Sequence, residues 1–221
     1  MDDGFIVGAR KAAAILAPGR ASFFVVTGRV CGTVSGDHIE LLKGADFGST
    51  EEWRVLAAQG HDVQPHSDTH VDFSKTPLEQ QIREIRQSVS VIRTIHPGPY
   101  VFCYPYNQFS TLDLAPFGLS AAGFLTKNSN SCVCFNPIGD NLDLFRLRSW
   151  AVQESHLDTV VSQLQRDVPD ESWTILGFHS LDGEGHEPWS SAGFANLVSA
   201  IRVFGYQIVS VGAMVARLAA R

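Results

Sequence analysis

At 221 residues and 44% hydrophobic, the chain is long enough for one α/β domain with a sizeable core, and residues 1–221 read as a single unit. Its 17 basic and 23 acidic side chains leave a formal net charge of −6 with no lysine or arginine block, which argues against nucleic acid or an anionic membrane surface as the main partner. No apolar run approaches the ~18 residues of a bilayer span and no signal-peptide pattern opens the sequence, so no integral membrane segment and a cytoplasmic location are expected.

The sequence opens on MDDGF, two adjacent carboxylates and a glycine with no element ahead of them. A strand is expected over SFFVVT (22–27), then a helix from the capping box STEE (49–52), in which Ser49 caps and Glu52 reaches back. HDVQP (61–65) reads as the next strand. TPLE (76–79) has the same capping-box pattern with Pro77 at the favoured first position, and it opens a helix with Leu78, Ile82, Ile85, Val89 and Ile92 on one face. Further strands are expected at YVFCYP (100–105), AGFLT (122–126), LFRLRS (144–149), WTILGF (173–178) and YQIVSV (206–211). Residues 127–141 read as a long polar loop, and 191–204 as a helix burying Phe194, Leu197, Ile201 and Phe204. Strands alternating with helix-length segments indicate parallel βαβ units.

PHSDTH (65–70) follows directly on a strand and carries His66 and His70 at i, i+4, a spacing that puts both rings on one side of a helical turn, within reach of one metal ion. Such an ion needs a further protein ligand, which Asp2 or Asp3 could supply. A second carboxylate beside it would take a proton from bound water, whose pKa the metal lowers towards ~7. ILGFHS (175–180) puts His179 at the end of an apolar strand, and His66, Tyr106 and Trp150 likewise follow or close strands, where α/β barrels place active sites. Cys31, Cys103, Cys132 and Cys134 fit neither a disulfide framework nor a zinc-binding spacing and read as reduced. His38, His61, His96, His156 and His186 read as structural or solvated, Asp182 and Glu184 as charges of a mouth loop, and Trp150 and Trp189 as either core or cleft walls.

Taken together these motifs resemble the polysaccharide deacetylases of the NodB-homology type, carbohydrate esterase family 4. MDDG is similar to their TFDDG motif and HSDTH to H-[ST]-x-x-H. CYPYN (103–107), RSW (148–150) and LGFH (176–179) stand where the third, fourth and fifth motifs fall. The resemblance implies an α/β fold, a distorted (β/α)7-type barrel, open or incomplete at the first strand, because the strand expected before DDG would precede Met1. It implies Asp3, His66 and His70 as ligands of a divalent metal, usually Zn2+, with Asp2 as general base and His179 as the acid that protonates the leaving amine. Tyr106 would offer its N–H to the oxyanion, and Trp150 would line the substrate. The motif's bracing arginine is Cys103 here, so Arg146 or Arg148 is expected to reach Asp2 instead, and the fourth-motif aspartates that would tune His179 are absent.

The function these features imply is metal-dependent hydrolysis of N-acetyl groups on an amino sugar of a glycan or glycan precursor. Hydrolysis of another non-peptide amide, such as a cyclic imide, is the alternative within enzymes. A catalytically inactive, saccharide-binding relative is the alternative outside them. The sequence leaves the oligomeric state open.

Overall fold

The computed structural model describes residues 1–35, 39–126, 134–183 and 185–220. The first element is a helix, α1 (Ile6–Leu16), which buries Ile6, Ala9, Ala12, Ala13 and Leu16. Strand β1 (Ser22–Val25) and the short helix α2 (Thr27–Val30) follow. Next come α3 (Thr50–Ala58), β2 (Asp62–Pro65) and α4 (Leu78–Ile92). Then come β3 (Val101–Cys103), β4 (Ala121–Thr126), β5 (Asn136–Pro137) and β6 (Leu147–Ala151). The chain ends with α5 (Leu157–Asp167), β7 (Ser172–Trp173), β8 (Leu176–Gly177), α6 (Ser191–Val203) and α7 (Val211–Ala219). None of the helices among the described residues is long and apolar enough to cross a membrane.

All the main pairings are parallel, as the alternating pattern requires. β1 pairs with β2, and β3, β4, β6 and β8 form a second ladder in that order, while β5 and β7 make a small antiparallel pair. The two parallel ladders are joined into one curled barrel wall by other means. At one seam the buried Gln64 of β2 accepts from Val101 N at 2.9 Å and donates to Pro99 O at 2.9 Å, so a side chain replaces a backbone rung. At the other, Met1 and Asp2 lie between β8 and β1: the Met1 ammonium donates to Ser22 O, Phe24 N donates to Met1 O, and Asp2 N donates to Phe178 O. These two residues supply the only rungs of a strand between β8 and β1 among the described residues, and the barrel interior beside them holds a largely apolar cavity of about 570 Å3, with Ser22 and Phe24 on one wall and Leu176 and Phe178 on the other.

The capping box at the start of α3 is present as expected, with Ser49 Oγ accepting from Glu52 N and Glu52 accepting from Ser49 N. The one expected at TPLE is absent: α4 starts after Pro77, Thr76 donates its hydroxyl back to Asp72 O, and Leu78 is exposed while Ile85, Val89 and Ile92 are buried. The expected strand at 206–211 is also corrected. Residues 206–210 have no ladder partner and run into α7, with Ser210 capping Ala213 N and the buried Asp62 of β2 accepting from Gly212 N at 2.6 Å. Its β-branched residues serve packing, since Ile208 lies against the main core. The expected strand at 173–178 is split into β7 and β8, and residues 144–146 form a turn of 3-10 helix ahead of β6. His38, Cys132 and Glu184 lie outside the described residues.

Gln64→Leu would keep the volume but leave Val101 N–H and Pro99 C=O without their partner. Urea unfolding should show a loss of about 2 to 3 kcal/mol; unchanged stability would mean the seam is held by packing alone.

Candidate active site

The C-terminal ends of the parallel strands converge on a cluster built from three segments. Beyond the Met1–Asp2 rungs the backbone turns sharply, with Asp3 at φ 68° and Gly4 at φ 79°, and a Cβ on Gly4 would lie 3.1 Å from the Val25 side chain. This turn aims the Asp3 carboxylate inward. Its Oδ1 lies 3.0 Å from His70 Nε2, 3.9 Å from His66 Nε2 and 3.5 Å from Arg29 Nη1.

The two histidines meet through a loop rather than the helical turn their spacing suggested. Ser67 and His70 both have left-handed backbone, at φ 63° and φ 61°, so the juxtaposition is real but its backbone route differs from the expected one. The loop is pinned on two sides. From β1 and α2, Thr27 N donates to Ser67 O, Gly28 N to Asp68 O at 2.8 Å, and Thr27 Oγ1 to Asp68 Oδ1 at 2.7 Å. From α4, the buried Glu84 accepts from Asp68 N at 3.0 Å, Thr69 N at 2.8 Å and Thr69 Oγ1 at 2.7 Å. Gly28 has no room for a side chain, since a Cβ there would meet Asp68 O at 2.6 Å.

His66 is buried, and its Nδ1 lies 2.9 Å from Cys103 O, a contact that suits an Nδ1–H donor and leaves Nε2 as the acceptor facing Asp3. Burial pulls its pKa down to about 4, outweighing the nearby carboxylates, so the ring is neutral near pH 7, as a metal ligand must be. Burial pushes the Asp3 carboxyl up, but the hydrogen bond from His70 and the charges of His70, His66 and His179 outweigh it and hold the group well below the usual carboxylate range.

Asp3, His66 and His70 each offer one ligand atom, and these atoms lie within 4.8 Å of one another. Ligands at ~2.0 to 2.2 Å around a tetrahedral zinc sit about 3.4 Å apart. The donor set of two imidazoles and one carboxylate fits a divalent ion with a position left for water.

Asp2 is buried next to this cluster, and its Oδ2 accepts a long hydrogen bond, 3.7 Å, from the Cys103 thiol. Burial, with Asp2 beside it, pushes that thiol well above its usual pKa, so it stays protonated and meets the Asp2 carboxylate as a donor. The two arginines expected to brace Asp2 are placed elsewhere. Arg146 pairs with Asp143 at 3.7 Å and lies over the Phe109 ring, and Arg148 is exposed on β6. The guanidinium found at the carboxylate pair is Arg29, on α2, and it stands nearer Asp3.

Tyr106 also has left-handed backbone, φ 56°, and its half-exposed ring lies 4.6 Å from that of His70. His179 follows β8, directly after Phe178, with the His186 ring 5.3 Å away at an edge-on angle. Trp150 and Trp189 are both buried, at 2% and 1% exposure; they are core residues, and neither is an open cleft wall. Asp182 accepts from Lys11 and from Ser191 N and Oγ, so this mouth-loop charge ties the loop to α6 and α1. The sequence reading missed Arg29, Glu84 and the approach of His186 to His179. Only His186 had a local signal, its place in a loop just after His179.

The polysaccharide deacetylase sequence profile matches residues 11–115. The solved structure of the peptidoglycan deacetylase PdaC from Bacillus subtilis superposes over 100% of this chain and 89% of its own, with a TM-score of 0.61 at 16% identity. The chain is polysaccharide-deacetylase-like in sequence over residues 11–115 and in fold throughout. A family 4 carbohydrate esterase from Streptomyces lividans, solved with acetate, covers 94% of the chain and 88% of its own at 16% identity and a TM-score of 0.58. A mutant of a carbohydrate esterase family 4 pseudoenzyme covers 97% of the chain and 65% of its own at 13% identity and a TM-score of 0.60. No curated protein matches in sequence. The profile match starts after Asp2 and Asp3, so the deacetylase-like placement of those two residues rests on the geometry described here.

Two outcomes test this geometry. Glu84→Ala removes the acceptor of three hydrogen bonds to the His66–His70 loop, and urea unfolding should show a loss of about 3 kcal/mol. In chelator-treated protein, the depressed His66 pKa means that the unfolded chain takes up a proton below its ordinary value of 6.5 while the folded chain waits until about 4. Stability is therefore full above that window and falls as pH drops through it, by on the order of 3 kcal/mol, and the slope should shrink in His66→Gln.

Proposed function

We propose that the chain is a metal-dependent hydrolase that removes N-acetyl groups from an amino sugar of a glycan or glycan precursor. The observation that carries this reading is the gathering of Asp3, His66 and His70 in one ligand cluster, with Asp2 beside it and His179 directly after Phe178, whose carbonyl accepts from Asp2 N. Asp3, His66 and His70 would hold the ion. A divalent ion there, zinc by its donor set, would supply Lewis acidity and an acidified water.

The remaining work falls to the chain's own side chains. Asp2 takes the proton as water oxygen bonds to the acetyl carbonyl carbon. Tyr106, in left-handed backbone just after β3, offers its N–H to the resulting oxyanion. His179 delivers a proton to the nitrogen as the C–N bond breaks, releasing acetate and a free amine. An amide nitrogen leaves poorly unprotonated, so a base on one side requires an acid on the other.

A second reading, an inactive saccharide-binding relative, is favoured by one observation: a thiol meets Asp2 where the deacetylase motif has an arginine. Acetate release from N-acetylglucosamine oligomers separates the two. Activity that falls at least ~100-fold in Asp2→Asn and in His179→Ala, and is lost on chelation, is the expected result. Bound metal without turnover of oligomers or of cyclic imides would support the binding reading.

A further inference from the structure

Arg29 is a buried guanidinium that the proposed reaction leaves without a task. Its side chain is 4% exposed, it lies 5.1 Å from the centre of the Phe47 ring, and it donates to Asp3 Oδ1 at 3.5 Å. Burying an arginine is costly unless something orients it and uses its charge. Both conditions are met at the same point. Phe47 covers one face, and the residues just before Arg29, Thr27 and Gly28, are fixed to the Ser67–Asp68 backbone. Arg29 is thus held in register with both the Asp3 turn and the histidine loop.

Asp3 needs such a hold. A non-glycine residue at φ 68° is strained and keeps that conformation only if its surroundings over-determine it. The surroundings here are the His70 and Arg29 contacts. Resting on the metal-site reading, we propose that Arg29 is a positioning residue: it fixes the Asp3 carboxylate towards His66 and His70 and so pre-forms the ligand set.

A guanidinium also repels a bound cation, so two effects oppose each other and a measurement decides between them. If positioning dominates, loss of Arg29 weakens metal binding; if repulsion dominates, it strengthens it. The full chain, stripped with chelator, is titrated with Co2+ against a chromophoric chelator while its visible absorption is recorded. Arg29→Met should bind Co2+ about 10- to 100-fold more weakly and shift the absorption bands, the size seen when a group supporting a ligand is lost. Arg29→Lys should fall in between.

Phe47→Leu keeps the charge but removes the ring that orients it, and it should also weaken binding. It carries the test if Arg29→Met fails to fold, as judged by thermal unfolding of the stripped protein. Wild-type affinity and spectrum in these variants, or tighter binding in Arg29→Met, would overturn the role of Arg29 alone. A wild-type chain that takes up no Co2+ would remove the metal-site reading, and this inference with it.

Discussion

The rungs that Met1 and Asp2 make between β8 and β1 set the geometry of the site. In a parallel sheet, side chains at the same level on strands two apart start about 10 Å from each other. β1 stands between Met1–Asp2 on one side and β2 on the other, so Asp3 and His66 leave the sheet on opposite flanks of β1. Bringing their side-chain atoms to 3.9 Å therefore takes inward turns from both flanks. The left-handed residues Asp3, Ser67 and His70 make those turns, and Tyr106 adds another at the end of β3. Their clustering at the mouth, on residues with side chains and not only on glycines, is how strain concentrates where function needs it.

The same rungs explain why the first two residues are ordered. The Met1 ammonium is half-buried, and burial lowers its pKa despite the neighbouring Asp2 charge. Desolvation of that charge is offset in part by its hydrogen bond to Ser22 O at 2.7 Å. A free acidic tip would make neither this bond nor those of Phe24 N and Asp2 N.

Much of this is legible in the sequence alone. The strand–helix alternation is a periodic signal that parallel ladders must produce, and it located β1, β2, β3, β4 and β6 to within a few residues. DDG and H-x-x-x-H named the cluster because the chemistry restricts residue type there. What escaped was non-local. Gln64 mends a seam, Glu84 holds a loop across 15 residues, and Asp62 receives the start of α7 across 150, none of which leaves a local pattern. Thr76 followed the capping-box spacing, yet its hydroxyl donates to Asp72 O instead of capping α4. Residues 206–211 have the composition of a strand, but composition reports burial as readily as pairing.

Cys103 shows most clearly how the site departs from the deacetylase motif. A guanidinium there would bring fixed charge and a fork of donors to Asp2, whereas the thiol brings one weak donor at 3.7 Å. The guanidinium of the carboxylate pair is on α2, against Asp3. The smaller side chain also leaves Asp2 and Cys103 bordering the apolar cavity, where an arginine would occupy space. Asp2 is thus held through its backbone rung to Phe178 and borders the cavity. Its placement comes from the ladder between β8 and β1 and one weak donor, with no charged brace from β3.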